Sequence, residues 1–271
     1  MPARSTPPGV RLAVATLVAA ACWPAVGRAG PWTWHEADRI LEIGHGEGAE
    51  AFQCAAVHLD SGYLRLIPTA DSGWGTSVVV MPAFWEGGEY HQGAPVHAEG
   101  MDVDVAEGRL TLRLRGRIGG LEVRLGVTLR DPAGGAIRAE VEARTEGTVQ
   151  LDDRPREAFK PVMLSSMRIS GTQWDAQGVV TDDAEHAIPA EGWMLAGPIE
   201  ARTFGLRGGD SEWKPRAPTV LIEWPEPVAV AGWVTRSEDP NDDNLGLWAA
   251  TDEVLTEWTY TVVSRVAEAA E

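Results

Sequence analysis

Trp74 and Trp85 bracket the run Gly75 to Phe84, and Glu86-Gly87-Gly88-Glu89-Tyr90-His91-Gln92 follows at once. Flat aromatic faces stack on the C–H faces of a sugar ring, while a phenol, an imidazole and an amide beside them hydrogen-bond its hydroxyls. Each tryptophan taken singly packs a core just as readily. Tyr90 and His91 read as part of a Gly-rich loop, which makes them candidates for proton transfer. A second stretch, Phe159-Lys160-Pro161-Val162-Met163-Leu164-Ser165-Ser166-Met167-Arg168, supplies two cations, with Trp174-Asp175 close behind. Lys160 and Lys214 are the chain's two lysines beside 21 arginines, so the surface cation is arginine and Lys160 stands apart. If Met167 faces the core, Ser166 and Arg168 share the opposite face of a strand and line a groove.

Two further loops carry polar groups. Gly208 to Arg216 combines Trp213 with Lys214 and Arg216, and Glu238 to Asn244 offers Asp239, Asn241 and Asp243 as oxygen ligands. The latter spacing opens like a Ca2+ loop, but the glycine is delayed to Gly246 and no glutamate stands at the twelfth position, so a solvated acidic turn competes with the metal site. No other cofactor is implied. There is no G-x-S-x-G elbow, no H-E-x-x-H, no paired-cysteine metal motif and no phosphate-cradling loop. Those absences move serine hydrolases, zinc proteases and nucleotide enzymes down the list.

The elements that position these residues follow from composition and period. Arg4 and Arg11 precede the apolar run Leu12 to Ala21, and small residues at Ala25, Gly27 and Ala29 complete an export signal over 1–29, leaving residues 30–271 as the mature domain. The run is too short for a bilayer-spanning helix, which needs roughly 20 apolar residues. Cys22 after Ala19-Ala20-Ala21 leaves a lipid anchor as an alternative. The expected location is secreted, with periplasmic or lipid-anchored variants, and no membrane insertion after cleavage. Cys54 would then have no disulfide partner and reads as a buried small hydrophobe.

Across the chain 40 acidic residues face 23 basic ones, a net charge of −17. Removing 1–29 takes three arginines and no acid, so the acidity belongs to the folded part. Such a surface disfavours nucleic acid and anionic membranes as partners.

Strict alternation marks Leu121 to Arg130, then Ile137 to Arg144 after the turn Asp131-Pro132-Ala133-Gly134-Gly135, with Leu110, Leu112 and Leu114 supplying the strand before. Arg and Glu on the outer positions suit cross-strand pairing. Further strands are expected at Tyr63–Ile67, Thr76–Met81, Pro161–Ile169, Thr219–Trp224, Val228–Val234 and Val254–Val263. His35 to Ile43 is the one helical candidate. About ten strands with frequent turn signals predict an all-β, two-sheet antiparallel β-sandwich or jelly roll in a single domain, expected to be a monomer.

The strings Trp74-Gly-Thr-Ser-Val-Val-Val-Met-Pro-Ala-Phe-Trp85 and Phe159 to Arg168 have the look of family signatures. In broad character residues 30–265 resemble secreted β-sandwich carbohydrate-active proteins of jelly-roll or galactose-mutarotase-like type. That resemblance is one of architecture and composition, implies carbohydrate as partner, and carries over no catalytic residue. Two readings result. One is a secreted enzyme cleaving a polysaccharide or glycoside: a lyase with Tyr90, His91, Lys160 and Arg168 in catalytic roles, or a hydrolase using two of Glu89, Asp175 and Glu212. In either, Trp74, Trp85, Gln92, Trp174, Trp213 and Lys214 would hold substrate. The other is a non-catalytic carbohydrate-binding or cell-surface module using the same tryptophans. Trp224, Trp233 and Trp258 read as ordinary strand residues with no ligand.

Overall fold

Alternation of apolar and polar residues folds into strands throughout. A computed structural model describes residues 26–29, 31–46, 52–66, 76–80, 82–106, 108–130, 138–154, 156–169, 173–174, 176–182, 184–208, 219–235 and 244–265, and among them there is no helix. The first six strands form an antiparallel meander: β1 (Val26–Ala29), β2 (Trp32–Ala37), β3 (Ile40–His45), β4 (Phe52–His58), β5 (Tyr63–Leu66) and β6 (Thr76–Val79). A short hairpin, β7 (Ala83–Glu86) with β8 (Glu89–Gln92), precedes four long strands: β9 (Val96–Ala106), β10 (Arg109–Ile118), β11 (Leu121–Arg130) and β12 (Arg138–Gly147). Then come β13 (Phe159–Lys160), β14 (Met163–Ile169), β15 (Gln173–Trp174), β16 (Gly178–Thr181), β17 (Glu185–His186), β18 (Gly192–Trp193) and β19 (Ile199–Arg207). The last strands are β20 (Thr219–Thr235), β21 (Asn244–Ala250) and β22 (Glu257–Arg265).

One antiparallel run goes β9–β10–β11–β12–β22–β20, and another continues the meander through β6–β14–β21–β20. Strand β20 belongs to both. Its Thr219–Glu223 half pairs with β22 and its Ala229–Thr235 half with β21. Pro225 and Pro227, expected to end a strand, fall between the two pairings, where neither β21 nor β22 needs a ladder bond. Alongside, β19 shifts register between Ala201 and Thr203, and the Asp182 carboxylate accepts the N–H groups of Arg202 and Thr203 at 2.6 and 2.7 Å. The freed donors of the irregularity are thereby satisfied.

Inward positions of both runs meet in one cluster. Leu110, Leu112, Leu125, Val127, Val141, Tyr260 and Val262 pack with Ile43, Val57, Leu64, Val78, Leu164 and Leu247. The chain is therefore all-β with antiparallel sheets packed together, in keeping with the sandwich expected from the pattern. Cys54 lies in this core, fully buried.

The β10–β11–β12 strands match the expected hairpins, but their charges pair differently. Several directly opposed residues are alike: Arg115 with Arg124, Arg124 with Arg144, Glu122 with Glu146, Arg130 with Arg138. Within these three strands the ion pairs run diagonally, Arg115 to Glu122, Arg124 to Glu146, and Arg130 to Glu140 at 2.8 Å, whereas Arg113 and Arg144 pair with directly opposed Asp102 on β9 and Glu257 on β22. Long side chains reach the two-residue diagonal and so relieve the like-charge rows.

The helix expected over His35–Ile43 is instead the turn and flanks of the β2–β3 hairpin. Leu41 and Ile43 point inward and Glu42 outward, which is a two-residue period. Asp38 and Arg39 have φ of 49° and 62°, a two-residue turn with both residues left-handed and no glycine to announce it. Arg39→Gly is accordingly expected to stabilise the protein by about 0.5–1 kcal/mol, since only an exposed Arg39–Asp60 contact is lost. A urea midpoint that rises at constant slope is the expected result, and a lowered midpoint would refute it.

Val26–Ala29, inside the region where cleavage of the leader is expected, pair with β2 as a short strand.

Candidate functional site

The β7–β8 hairpin turns on Gly87 and Gly88, whose φ of 61° and 85° suit a tight two-residue turn, and the N–H of Gly88 donates to Asp152 at 3.0 Å. β13 adds to its edge, pairing Phe159 with Phe84 and Lys160 with Ala83. Tyr90 and His91 thus lie on a strand, not in the loop the glycines suggested. Strand alternation separates them. Tyr90 sits against Trp85, ring centroids 5.1 Å apart, while His91 sits 5.1 Å from the core ring of Phe84 on the other face. One pocket cannot use both side chains.

The Tyr90 face is extended by residues from three other elements. Lys160, 5% exposed, places Nζ 5.1 Å from the Tyr90 ring centroid and 4.0 Å from that of Trp248, and it donates to Glu157 at 3.4 Å. Trp248 on β21 meets Trp193 on β18 edge-on at 6.2 Å, and Trp193 meets Trp233 on β20 at 5.0 Å and 87°. Arg154 lies over Trp85 at 3.8 Å and Arg156 over Trp193 at 4.8 Å. The contacts run in the order Trp85, Tyr90, Lys160, Trp248, Trp193 and Trp233, with Arg154 and Arg156 over the first and fifth of these. Tyr90, Trp193 and Trp233 are 38%, 37% and 37% exposed, and among the described residues these are the large hydrophobic side chains standing in solvent. Their concentration on one face makes it the candidate binding surface.

Local sequence explains the arrangement. In β20, Val228, Val230 and Val234 face the core, so Trp233 must face away, and Ala231 beneath it leaves room for Trp248. Trp248, Ala231, Ala250 and Met163 form a small apolar cluster of their own on that outer side. The indole N–H of Trp248 donates to the carbonyl of Arg156 at 2.6 Å. That bond, and a guanidinium bond to the Ala196 carbonyl at 3.2 Å, hold Arg156 although its φ of 79° is left-handed.

Titration follows burial. Desolvation between the two rings holds the Lys160 ammonium below the usual lysine range; the Glu157 carboxylate opposes that and the Arg154 charge adds to it. Desolvation, aided by Glu157, raises the Tyr90 phenol to about 12. Because the residue is over a third exposed, solvent screening reduces that shift, but its direction keeps Tyr90 protonated at neutral pH. A phenol so placed donates hydrogen bonds well and serves poorly as a base.

Of the expected site residues, Tyr90, Trp85 and Lys160 converge and His91 does not. Gln92 is exposed at the end of β8, lining a shallow hollow with His58, Ser61 and Tyr63. Arg168 pairs its backbone with Trp174 near the far end of β14. It lies five residues beyond Met163, which pairs with Trp248, and so about 17 Å along the strand from the Lys160 neighbourhood. The groove expected from Ser166 rested on an inward Met167, whereas Ser166 itself is fully buried. Glu89 is exposed at the hairpin. Trp74, Asp175, Glu212, Trp213, Lys214, Asp239, Asn241 and Asp243 lie outside the described residues. Among the described residues no group of three or more His, Cys, Asp and Glu side chains could hold a metal ion.

Sequence reasoning missed Arg154, Arg156, Glu157, Trp193 and Trp248, and set Trp233 aside. For Trp233 the signal was present, since the valines at 228, 230 and 234 fix it on the outer face.

No protein-family model and no curated protein matches the sequence. Among solved structures the chain is similar to the 4-alpha-glucanotransferase from Thermococcus litoralis, with a TM-score of 0.39 and 11% identity over 91% of this chain. It spans 40% of that enzyme's length.

Proposed function

We propose that the chain is an exported carbohydrate-binding β-protein whose binding surface is the Tyr90–Trp193–Trp233 face. The observation that carries this reading is the gathering of three exposed aromatic side chains, Tyr90 and Trp193 beside cations and Trp233 against Trp193. Rings of this kind stack on sugars, and the phenol of Tyr90 and the donors of Arg154 and Arg156 supply bonds to hydroxyls. Export is inferred from the Arg4–Ala29 leader pattern.

Cleavage is the second reading, and Lys160 favours it. A nearly buried lysine that gives up its proton more readily than an ordinary one, beside a protonated phenol and a carboxylate, brings groups able to exchange protons together. His91 and Arg168 take no part in it.

A panel of neutral and acidic oligosaccharides, followed by tryptophan fluorescence together with reducing-end release and unsaturated-uronate absorbance, tests both. Quenching without new ends is the expected result. Turnover that disappears in Lys160→Met would make the chain an enzyme, and no quenching by any saccharide would overturn the carbohydrate reading.

A further inference from the structure

One cation on this face, Arg156, is held differently from the ion-paired arginines elsewhere on the protein. On the outer strands Arg113 pairs with Asp102 at 2.9 Å, Arg130 with Glu140 at 2.8 Å, and Arg144 with Glu257. Arg202 and Arg207 likewise pair with Glu226 and Glu185 at 3.1 and 2.7 Å. A carboxylate partner cancels the arginine's charge as seen by a ligand. Arg156 is placed differently. Its guanidinium rests on the Trp193 ring and donates to one backbone carbonyl, and among the described residues it forms no ion pair. Arg154 stacks at 3.8 Å on Trp85, and its contact to Asp152 is loose at 3.6 Å, with that carboxylate also accepting the N–H of Gly88. Lys160 stacks on two rings and has Glu157 at 3.4 Å.

A ring face orients a guanidinium through its quadrupole but carries no net charge, so the positive field remains. Guanidinium has five N–H donors in a planar fork, of which the Ala196 bond uses one. Energetically significant cation–ring contacts occur roughly once per 70–80 residues. Here every one described falls between Arg154 and Lys160, in a chain whose net charge is −17. An arginine held on a ring without an ion pair among the described residues, beside stacking surfaces, is the complement of a sugar that carries an anion.

We propose that this face selects acidic saccharides, with the ring stacked against Trp193 and Trp233 and its carboxylate or sulfate bound by Arg156, assisted by Arg154. The proposal rests on the reading of the face as a saccharide platform and adds to it the charge of the ligand. Arg156 acts through a planar fork that suits a carboxylate in two-point contact. Its left-handed backbone, bonded by the Trp248 indole, holds the fork over the Trp193 ring.

The test uses the full chain and three probes of matched length: an oligogalacturonate, the same oligomer fully methyl-esterified, and a sulfated oligosaccharide. The unesterified oligomer is expected to bind at least about tenfold more tightly than its ester, as a charge-assisted contact implies. Raising salt should narrow that ratio. Arg156→Gln should bring the ratio to near one, and because the ratio is internal to each protein, a general loss of stability does not mimic it. Preferential binding of the sulfated probe over the oligogalacturonate would assign the anion as sulfate. Equal affinity for acid and ester in the native protein would overturn the charge selection while leaving the carbohydrate reading in place. Binding of none of the probes, together with none from the neutral panel, would overturn both.

Discussion

Trp248→Ala is expected to destabilise the protein by about 3–5 kcal/mol, the range for removing a buried aromatic side chain. Trp248 is 3% exposed and is the centre of the outer apolar cluster with Ala231, Ala250 and Met163. Its ring is one of the two that flank Lys160 and one of the two that pack against Trp193. Its N–H also anchors the Arg156 carbonyl, without which the left-handed residue has less to hold it. The loss therefore extends beyond the cavity to the whole face, and saccharide binding should disappear with it. Trp248→Phe separates the contributions. It keeps a ring under Lys160 and removes the N–H, so it should lose less than the alanine variant while still weakening binding. Denaturant unfolding at constant slope measures both variants. A loss under about 1 kcal/mol in Trp248→Ala would contradict the packing described for this side.

The second large effect is alkaline. Burial pushes the Cys54 thiol from 9.0 up to about 12, because the core has no means of solvating a thiolate. Between those values the folded chain holds a proton that the unfolded chain has released. Stability that is fully present below about pH 9 is therefore lost as pH rises through about 12, by about 4 kcal/mol from three pH units. Tyr260, raised well above 10.0 by complete burial, adds to the decline, as does Tyr90 in weaker measure. Lys160 works the other way: its ammonium is penalised in the fold, so stability rises as pH climbs from its lowered value toward 10.5. Unfolding free energies across this range should fall in the native protein and fall much less in Cys54→Ala. Parallel curves for the two proteins would show that the thiol is not the group responsible.

How far the sequence can be read depends on which physical constraint acts alone. Leu121 to Arg130 alternates strictly because one face is buried and the other wet, and there the strand, its partner and its inward residues were all legible. His35 to Ile43 was misread because its turn uses Asp38 and Arg39 in a left-handed conformation that usually requires glycine or asparagine. Pro225 and Pro227 suggested a break, but β20 changes partners at that point and tolerates them. Arg and Glu were legible as outer residues, while their diagonal pairing depends on a register set by the turns. In the site, composition picked out Lys160, Tyr90 and Trp85. It could not separate Tyr90 from His91, since that needs the knowledge that both lie on a strand. Nor could it gather Trp193, Trp233 and Trp248, which three different strands bring to one surface.

The central claim is that this surface binds carbohydrate through its exposed rings. Calorimetric titration of the tightest-binding oligosaccharide of the panel, into the native chain and into a Trp193→Ala/Trp233→Ala double variant, tests it most directly. Both rings are about two-thirds covered and exposed at their outer edges, so their removal should leave the core intact and the unfolding midpoint little changed. The expected result is at least a tenfold loss of affinity, about 1.4 kcal/mol, in a folded double variant. Undiminished binding by that variant would place the saccharide elsewhere on the protein and contradict the account.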